Sequence, residues 1–200
     1  MTSRVSFSAG GVALEGMLNL KGMDRAAVVA HPHPLYGGNM FNPVVEAIAE
    51  SYERKGFSTL RFNFRGVGGS EGSYDDGRGE VADVLAAVSF LTERGIERID
   101  LAGYSFGTWV ISKVPMDPSW TGQIVMISPP VAFMDMPSSL RLPNLYLVVT
   151  GEMDDIAPPD RVRKRLTDWN GIARMEIITG ADHFYGRGFG KLREILDNYL

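Results

Sequence analysis

A serine between two glycines is the first feature of the sequence that could do chemistry. Residues 103–107 read Gly-Tyr-Ser-Phe-Gly and match the pattern G-x-S-x-G. An apolar strand is expected before the pattern and a helix after it, and such a sharp strand–turn–helix lifts a serine hydroxyl above the end of a sheet. The flanking glycines avoid clashes between a Cβ and the neighbouring backbone. The pattern predicts a nucleophilic Ser105, and a glycine-rich turn without chemistry is the alternative.

A serine hydroxyl needs a base that is itself held by a carboxylate. The chain has three histidines, and His183 lies just after the last predicted strand, where the loop returns over the carboxyl edge of the sheet. Asp154 follows the next-to-last strand and is the predicted partner, whereas Glu152 and Asp155 are interpreted as solvated loop charges. A histidine on a surface loop is the alternative for His183. The chain order Ser105, Asp154, His183, each at a strand end, is the order typical of a catalytic triad in this architecture.

Alternating strands and helices are predicted around these residues. The predicted strands are 5–7 and 12–20, which form a hairpin, then 26–30, 59–64, 98–102, 123–128, 144–150 and 174–179. The predicted helices are 43–55, 81–94, 106–113, 159–169 and 188–200. Repeated strand–helix–strand units predict an α/β fold with a mainly parallel sheet, an antiparallel N-terminal hairpin and helices on both faces. Functional sites in such sheets lie beyond the carboxyl ends of the strands.

Length and composition exclude several classes of protein. The 200 residues contain no linker, so a single domain, 1–200, is expected. A net charge of -4 makes nucleic acid a poor partner. The sequence has no cysteine, which excludes disulfides, thiolate metal sites and a cysteine nucleophile and fits a cytoplasmic protein. The longest apolar runs are about five residues, too short to span a bilayer. The N-terminus lacks the apolar stretch of a signal peptide.

Two other patterns suggest metal or nucleotide binding, and neither is supported. His31 and His33 form an H-x-H pair, but a third ligand would have to come from far away, so we expect them to order their proline-rich loop or line a pocket. The stretch 66–71 resembles a dinucleotide loop, yet its third glycine is replaced by Glu71, which would repel a pyrophosphate. No metal and no cofactor are expected.

The three predicted triad residues, in these contexts, resemble the α/β-hydrolase superfamily. The segments His-Pro-His-Pro-Leu-Tyr-Gly-Gly-Asn at 31–39 and Arg-Phe-Asn-Phe-Arg-Gly-Val-Gly-Gly-Ser at 61–70 are similar to its small bacterial lidless members, which are related to dienelactone hydrolases and carboxylesterases. The resemblance covers nearly the whole chain. It implies a serine nucleophile, an acyl-enzyme intermediate, water as the final acceptor and no cofactor.

An oxyanion hole is predicted from two backbone N–H groups. One belongs to Phe106, the residue after the predicted nucleophile. The other comes from the loop after strand 26–30, where two prolines have no N–H to give and His33 or Leu35 remains. Leu35 is favoured because the segment that begins there resembles the equivalent segment of dienelactone hydrolases.

Only 13 residues, 129–141, lie where larger hydrolases of this type insert a helical lid, so no lid domain is expected. The candidate pocket residues are His33, Tyr36, Phe133, Met134 and Phe184. We expect a serine hydrolase of small carboxylic esters, with thioesters or lactones as related substrates. A peptidase or amidase of the same fold and a non-catalytic ligand-binding module are the alternatives. The expected partners are a small-molecule ester and water, and a homodimer is permitted.

Overall fold

Eight strands form one sheet in the computed structural model of the protein, which describes residues 2–137 and 139–200. They are β1 (Thr2–Ala9), β2 (Val12–Asn19), β3 (Arg25–Ala30), β4 (Ser58–Phe62), β5 (Arg98–Tyr104), β6 (Thr121–Ile127), β7 (Leu145–Gly151) and β8 (Arg174–Ile178). The strand order is β1-β2-β4-β3-β5-β6-β7-β8. The first two pairings in this order are antiparallel and the other five are parallel. The predicted sheet and its N-terminal hairpin are confirmed.

Five α-helices cover the two faces of the sheet in the described chain. They are α1 (Pro43–Arg54), α2 (Arg78–Thr92), α3 (Phe106–Ile111), α4 (Pro159–Asn170) and α5 (Phe189–Tyr199). Helices α1 and α5 enclose one apolar core, and α2, α3 and α4 enclose the other. In β3, Val28 belongs to one core and Val29 to the other, and both are fully buried. Burial on both faces explains why this strand is an unbroken apolar run.

Helix α2 begins three residues earlier than the sequence predicted. Glu80 folds back over the start of the helix, where its carboxylate accepts the Gly77 N–H at 2.7 Å and the Asp75 N–H at 2.9 Å. These bonds satisfy donors that would otherwise have no partner at a helix start. One turn of 3₁₀ helix, Pro34–Tyr36, was not predicted; His33 Nδ1 accepts the Leu35 N–H at its start.

Turns and irregular chain occupy the described residues between β6 and β7, and these contain no helix, which confirms the predicted absence of a lid. No helix within residues 2–137 and 139–200 is long and apolar enough to cross a membrane.

Candidate active site

Ser105 lies in a strained turn between β5 and α3. Its φ of 52° and ψ of −119° are unusual for a residue with a side chain, and such strain is typical of functional sites. A Cβ on Gly107 would lie 2.4 Å from the Ala30 carbonyl oxygen, and one on Gly103 would lie 2.7 Å from the Gly107 carbonyl carbon. Only glycine fits at both positions. The turn is also fixed by the Ser105 N–H, which donates to the Ile127 oxygen at 2.9 Å.

The structure brings Ser105, His183 and Asp154 together. His183 Nε2 lies 2.9 Å from Ser105 Oγ, while its Nδ1 lies 2.9 and 3.0 Å from the two oxygens of Asp154. The serine begins the β5–α3 turn, the aspartate lies in the loop after β7, and the histidine lies in the loop after β8. The His183 side chain is 6% exposed and that of Asp154 is 0% exposed. This continuous hydrogen-bonded chain can move a proton from the serine to the imidazole.

Asp154 is held in its ionised form by its surroundings. Burial alone raises the pKa of this carboxyl, but the hydrogen bond and charge of His183 and further hydrogen bonds outweigh it, so the pKa lies below its ordinary value. One of those bonds comes from the Ala157 N–H at 2.7 Å, and the Ile156 N–H donates to the same oxygen at 2.9 Å. Glu152 and Asp155 are exposed. An ionised Asp154 can orient the His183 ring and stabilise its cation.

Two buried hydroxyls that the sequence did not indicate lie behind Asp154. Ser128 Oγ and Tyr185 Oη are 2.8 Å apart, and both residues have left-handed backbone, with φ of 49° and 55°. The Ser128 hydroxyl also lowers the pKa of Asp154. Because a carboxylate only accepts hydrogen bonds, we expect the Ser128 hydroxyl to donate toward Asp154 and to accept from Tyr185. Burial raises the pKa of the Tyr185 hydroxyl, which therefore stays protonated.

Tyr104 fixes the main chain of the predicted base. Its hydroxyl donates to the His183 carbonyl oxygen at 2.7 Å, and the two rings lie 5.6 Å apart. Burial raises the pKa of this hydroxyl, so it keeps its proton and remains a donor. Tyr104 is part of the G-x-S-x-G pattern, but the pattern carries no information on this variable position. The contact is visible only in three dimensions.

The geometry of the loop after β3 favours His33 over the predicted Leu35 as the second oxyanion donor. The Leu35 N–H already donates to His33 Nδ1 at 3.2 Å, and Leu35 does not line the cavity beside Ser105. His33 does line it, and its N–H has no hydrogen bond to another described residue. Phe106, the first residue of α3, also lines the cavity, and its N–H is likewise without an acceptor in residues 2–137 and 139–200.

His31 orders the same loop and uses both ring nitrogens to do so. Its Nε2 accepts the Phe64 N–H at 3.0 Å, so Nδ1 carries the proton and donates to the Pro32 oxygen at 2.6 Å. Burial lowers the His31 pKa to about 4, which keeps the ring neutral at pH 7. Among the described residues, no group of three or more histidine, aspartate and glutamate side chains could hold a metal ion.

A cavity of about 680 Å³ opens beside Ser105 and His183. All five predicted pocket residues line it: His33, Tyr36, Phe133, Met134 and Phe184. The centroid of the His33 ring lies 4.7 Å from that of Phe106 and 4.8 Å from that of Tyr36. The predicted oxyanion loop and one cavity wall therefore pack against each other.

Comparison with known proteins assigns the class. The chain belongs to the α/β-hydrolase superfamily: an α/β serine hydrolase homologue from Coxiella burnetii is 33% identical to it, with a TM-score of 0.89 over 99% of this chain and 97% of that one. Within the superfamily it is similar to an α/β serine hydrolase without lid from Xanthomonas campestris, with 28% identity and a TM-score of 0.84 over 98% and 92% of the two chains. An uncharacterized protein of Rickettsia prowazekii is 35% identical over an alignment of 184 positions, and the alignment covers 87% of this chain and 77% of that one. No family model matches the chain. These likenesses support a hydrolase activity.

Proposed function

We propose that the protein is a serine hydrolase of the carboxylesterase type that cleaves small carboxylic esters through an acyl-enzyme intermediate. The observation that carries the proposal is the chain of hydrogen bonds from Ser105 through His183 to Asp154, with 2.9 Å at each of its two links. Its position at the floor of an open cavity lets an ester carbonyl approach the serine. Thioesters and lactones present the same kind of carbonyl to the same groups.

The proposed reaction begins with proton transfer from Ser105 to His183 as the serine oxygen attacks the carbonyl carbon. Asp154 stabilises the resulting imidazolium. The N–H groups of Phe106 and His33 bind the oxyanion, and one such donor typically lowers the barrier by about 2.7–4 kcal/mol. His183 then protonates the departing alcohol and leaves an acyl-serine. Finally it deprotonates a water that attacks the acyl group, which releases the acid and restores the serine.

Substitution of Ser105 tests the proposal. Ser105→Ala is expected to lower kcat for 4-nitrophenyl acetate by roughly 10⁴-fold or more, with little change in melting temperature. Ser112→Ala is the matched control, because this buried serine follows the last residue of α3 and its hydroxyl donates to the Trp109 oxygen of that helix. A fluorophosphonate should label Ser105 in the wild type. Undiminished turnover by Ser105→Ala, or a wild type without an adduct, would refute the assignment.

The same relay could hydrolyse an amide, so the leaving group must be tested directly. A matched 4-nitrophenyl ester and 4-nitroanilide of one acyl group separate an esterase from an amidase. Comparable kcat/KM values for the two would favour the amidase. A protein that binds both compounds but neither reacts with them nor takes the label would be a ligand-binding module.

A further inference from the structure

The cavity beside Ser105 is uncharged and rich in rings. Five aromatic side chains line it: Tyr36, Tyr104, Phe106, Phe133 and Phe184. No lysine, arginine, aspartate or glutamate is among the described residues of its wall. His33 does not supply a cation there, because burial lowers its pKa. The volume of about 680 Å³ lies within the usual range for small-molecule sites and leaves far more room than an acetyl group fills.

Two carboxylates act electrostatically on residues of this wall. The charge of Asp76 opposes the lowering of the His33 pKa and raises the pKa of Tyr74, whose hydroxyl lies 3.5 Å from His33 Nε2. The charge of Asp182 helps to raise the pKa of Tyr104, and one carboxylate oxygen of Asp182 accepts the Phe184 N–H at 3.1 Å. The cavity is therefore flanked by negative charge on the side of His33 and on the side of Phe184.

A substrate carboxylate would bind unfavourably in this cavity. It would lose its water shell without gaining a counter-ion, and burial of an unpaired charge is costly. The flanking carboxylates would add like-charge repulsion. An uncharged apolar group, by contrast, would lose contact with water and gain contact with the rings of Tyr36, Phe133 and Phe184, which are 87%, 75% and 74% exposed in the free protein.

We propose, given the ester hydrolysis argued above, that the site selects uncharged esters with an apolar group of ring size and rejects esters that carry a carboxylate. Asp76 and Asp182 strengthen the rejection through their charge without touching the reacting atoms. The cavity thus selects by the absence of a counter-ion as much as by shape.

Two nearly isosteric substrates test this selectivity. They are the 4-nitrophenyl ester of 4-carbamoylbenzoic acid, which is neutral, and the mono-4-nitrophenyl ester of terephthalic acid, which carries a carboxylate. Each kcat/KM is divided by the rate constant for alkaline hydrolysis of the same ester to remove intrinsic reactivity. We expect at least a tenfold preference for the neutral ester. Equal rates, or a preference for the anionic ester, would overturn the proposal.

Variants locate the cause of the selectivity. Asp76→Asn removes one exposed carboxylate at a position with φ of 49°, a backbone conformation that asparagine tolerates. It should narrow the preference about two- to threefold, and more at low salt, where surface charges are less screened. Asp24→Asn changes the net charge equally, but Asp24 precedes the amino end of β3, whereas the active site lies at the carboxyl ends of the strands. This variant should leave the preference unchanged. Equal effects of the two variants would contradict the placement of the charge.

Binding without turnover separates this inference from the proposed function. Terephthalamide and 4-carbamoylbenzoate are unreactive, nearly isosteric and differ by one negative charge. Calorimetry with Ser105→Ala should give the tighter Kd for the neutral diamide, and the reverse order would overturn the inference. A wild type that takes the fluorophosphonate label but prefers the anionic ester would retain the proposed function and lose only the selectivity. A wild type without the label would lose both.

Discussion

Loss of the Ser128 hydroxyl should weaken both the fold and the hydrogen-bonded relay. Ser128→Ala removes the hydroxyl that lowers the pKa of Asp154 and leaves the Tyr185 hydroxyl without its 2.8 Å partner, in a residue that is only 2% exposed. A buried polar group left unpaired costs about 1–3 kcal/mol. Alanine keeps a Cβ at this left-handed position, so the backbone strain is the same in both proteins. We expect the free energy of unfolding to fall by that amount.

Tyr185→Phe makes the prediction sharper because it removes the hydroxyl that Ser128→Ala leaves unpaired. Alone it should cost about 0.5–1.5 kcal/mol, since the Ser128 hydroxyl can still donate toward Asp154. In the double variant no orphan hydroxyl remains, so the double variant should be no less stable than Ser128→Ala alone. The two costs are therefore expected not to add, with a coupling of about 1 kcal/mol.

Urea unfolding of the four proteins measures these free energies, and kcat/KM for a neutral ester reports on the relay. Ser128→Ala should lower kcat/KM roughly fivefold, the worth of about one hydrogen bond, whereas Ser112→Ala should leave it unchanged. Strictly additive stabilities would show that the two hydroxyls do not interact. A larger loss in Tyr185→Phe than in Ser128→Ala would reverse the direction of donation argued above and refute the reasoning.

Three further predictions concern the elements around the site. The free energy of unfolding should fall by roughly 3 kcal/mol between pH 6.5 and pH 4 on account of His31, because in this window the unfolded ring binds a proton and the folded ring does not; urea unfolding across pH should show a smaller fall in His31→Asn. Gly107→Ala places a Cβ 2.4 Å from the Ala30 oxygen and should cost more than about 2 kcal/mol, seen as a lower melting temperature together with loss of fluorophosphonate labelling; normal labelling would contradict the tight turn. Arg65→Met leaves the fully buried Asp83 carboxylate without its 2.7 Å partner and should cost about 3–5 kcal/mol in urea unfolding, while Arg65→Met combined with Asp83→Leu should recover part of it.

The sequence predicted the elements and their types because their signals are local. An apolar run such as β3 and the amphipathic helix α1 depend on neighbouring residues alone, and the predicted start of α1 at Pro43 is the observed one. The early start of α2 depends on the hydrogen bond that the Glu80 carboxylate accepts from the Gly77 N–H. The spacing of apolar residues does not indicate this bond. The position of β4 between β2 and β3 is likewise a long-range pairing, and a pattern within one strand does not specify its neighbours.

The residues of the site were predictable to the extent that their chemistry demands a particular type. Few side chains can serve as nucleophile, base or acid, and chain order narrowed them to Ser105, His183 and Asp154. Supporting residues have no such restriction, so Ser128 and Tyr185 carried no signal. The choice between Leu35 and His33 as the second oxyanion donor depended on the orientation of the His33 ring, because its Nδ1 accepts the Leu35 N–H.

The segment between β6 and β7 forms main-chain hydrogen bonds to two neighbouring parts of the chain. The Ala132 N–H donates to the Ile156 oxygen at 3.1 Å, and the Asp135 carbonyl accepts the Trp109 indole N–H at 2.9 Å. Both bonds use the main chain of residues 132 and 135, so the side chains at 133 and 134 can vary without breaking either bond. Randomising those two positions would diversify the compounds admitted while the proton relay stays fixed, which makes this small scaffold well suited to directed evolution.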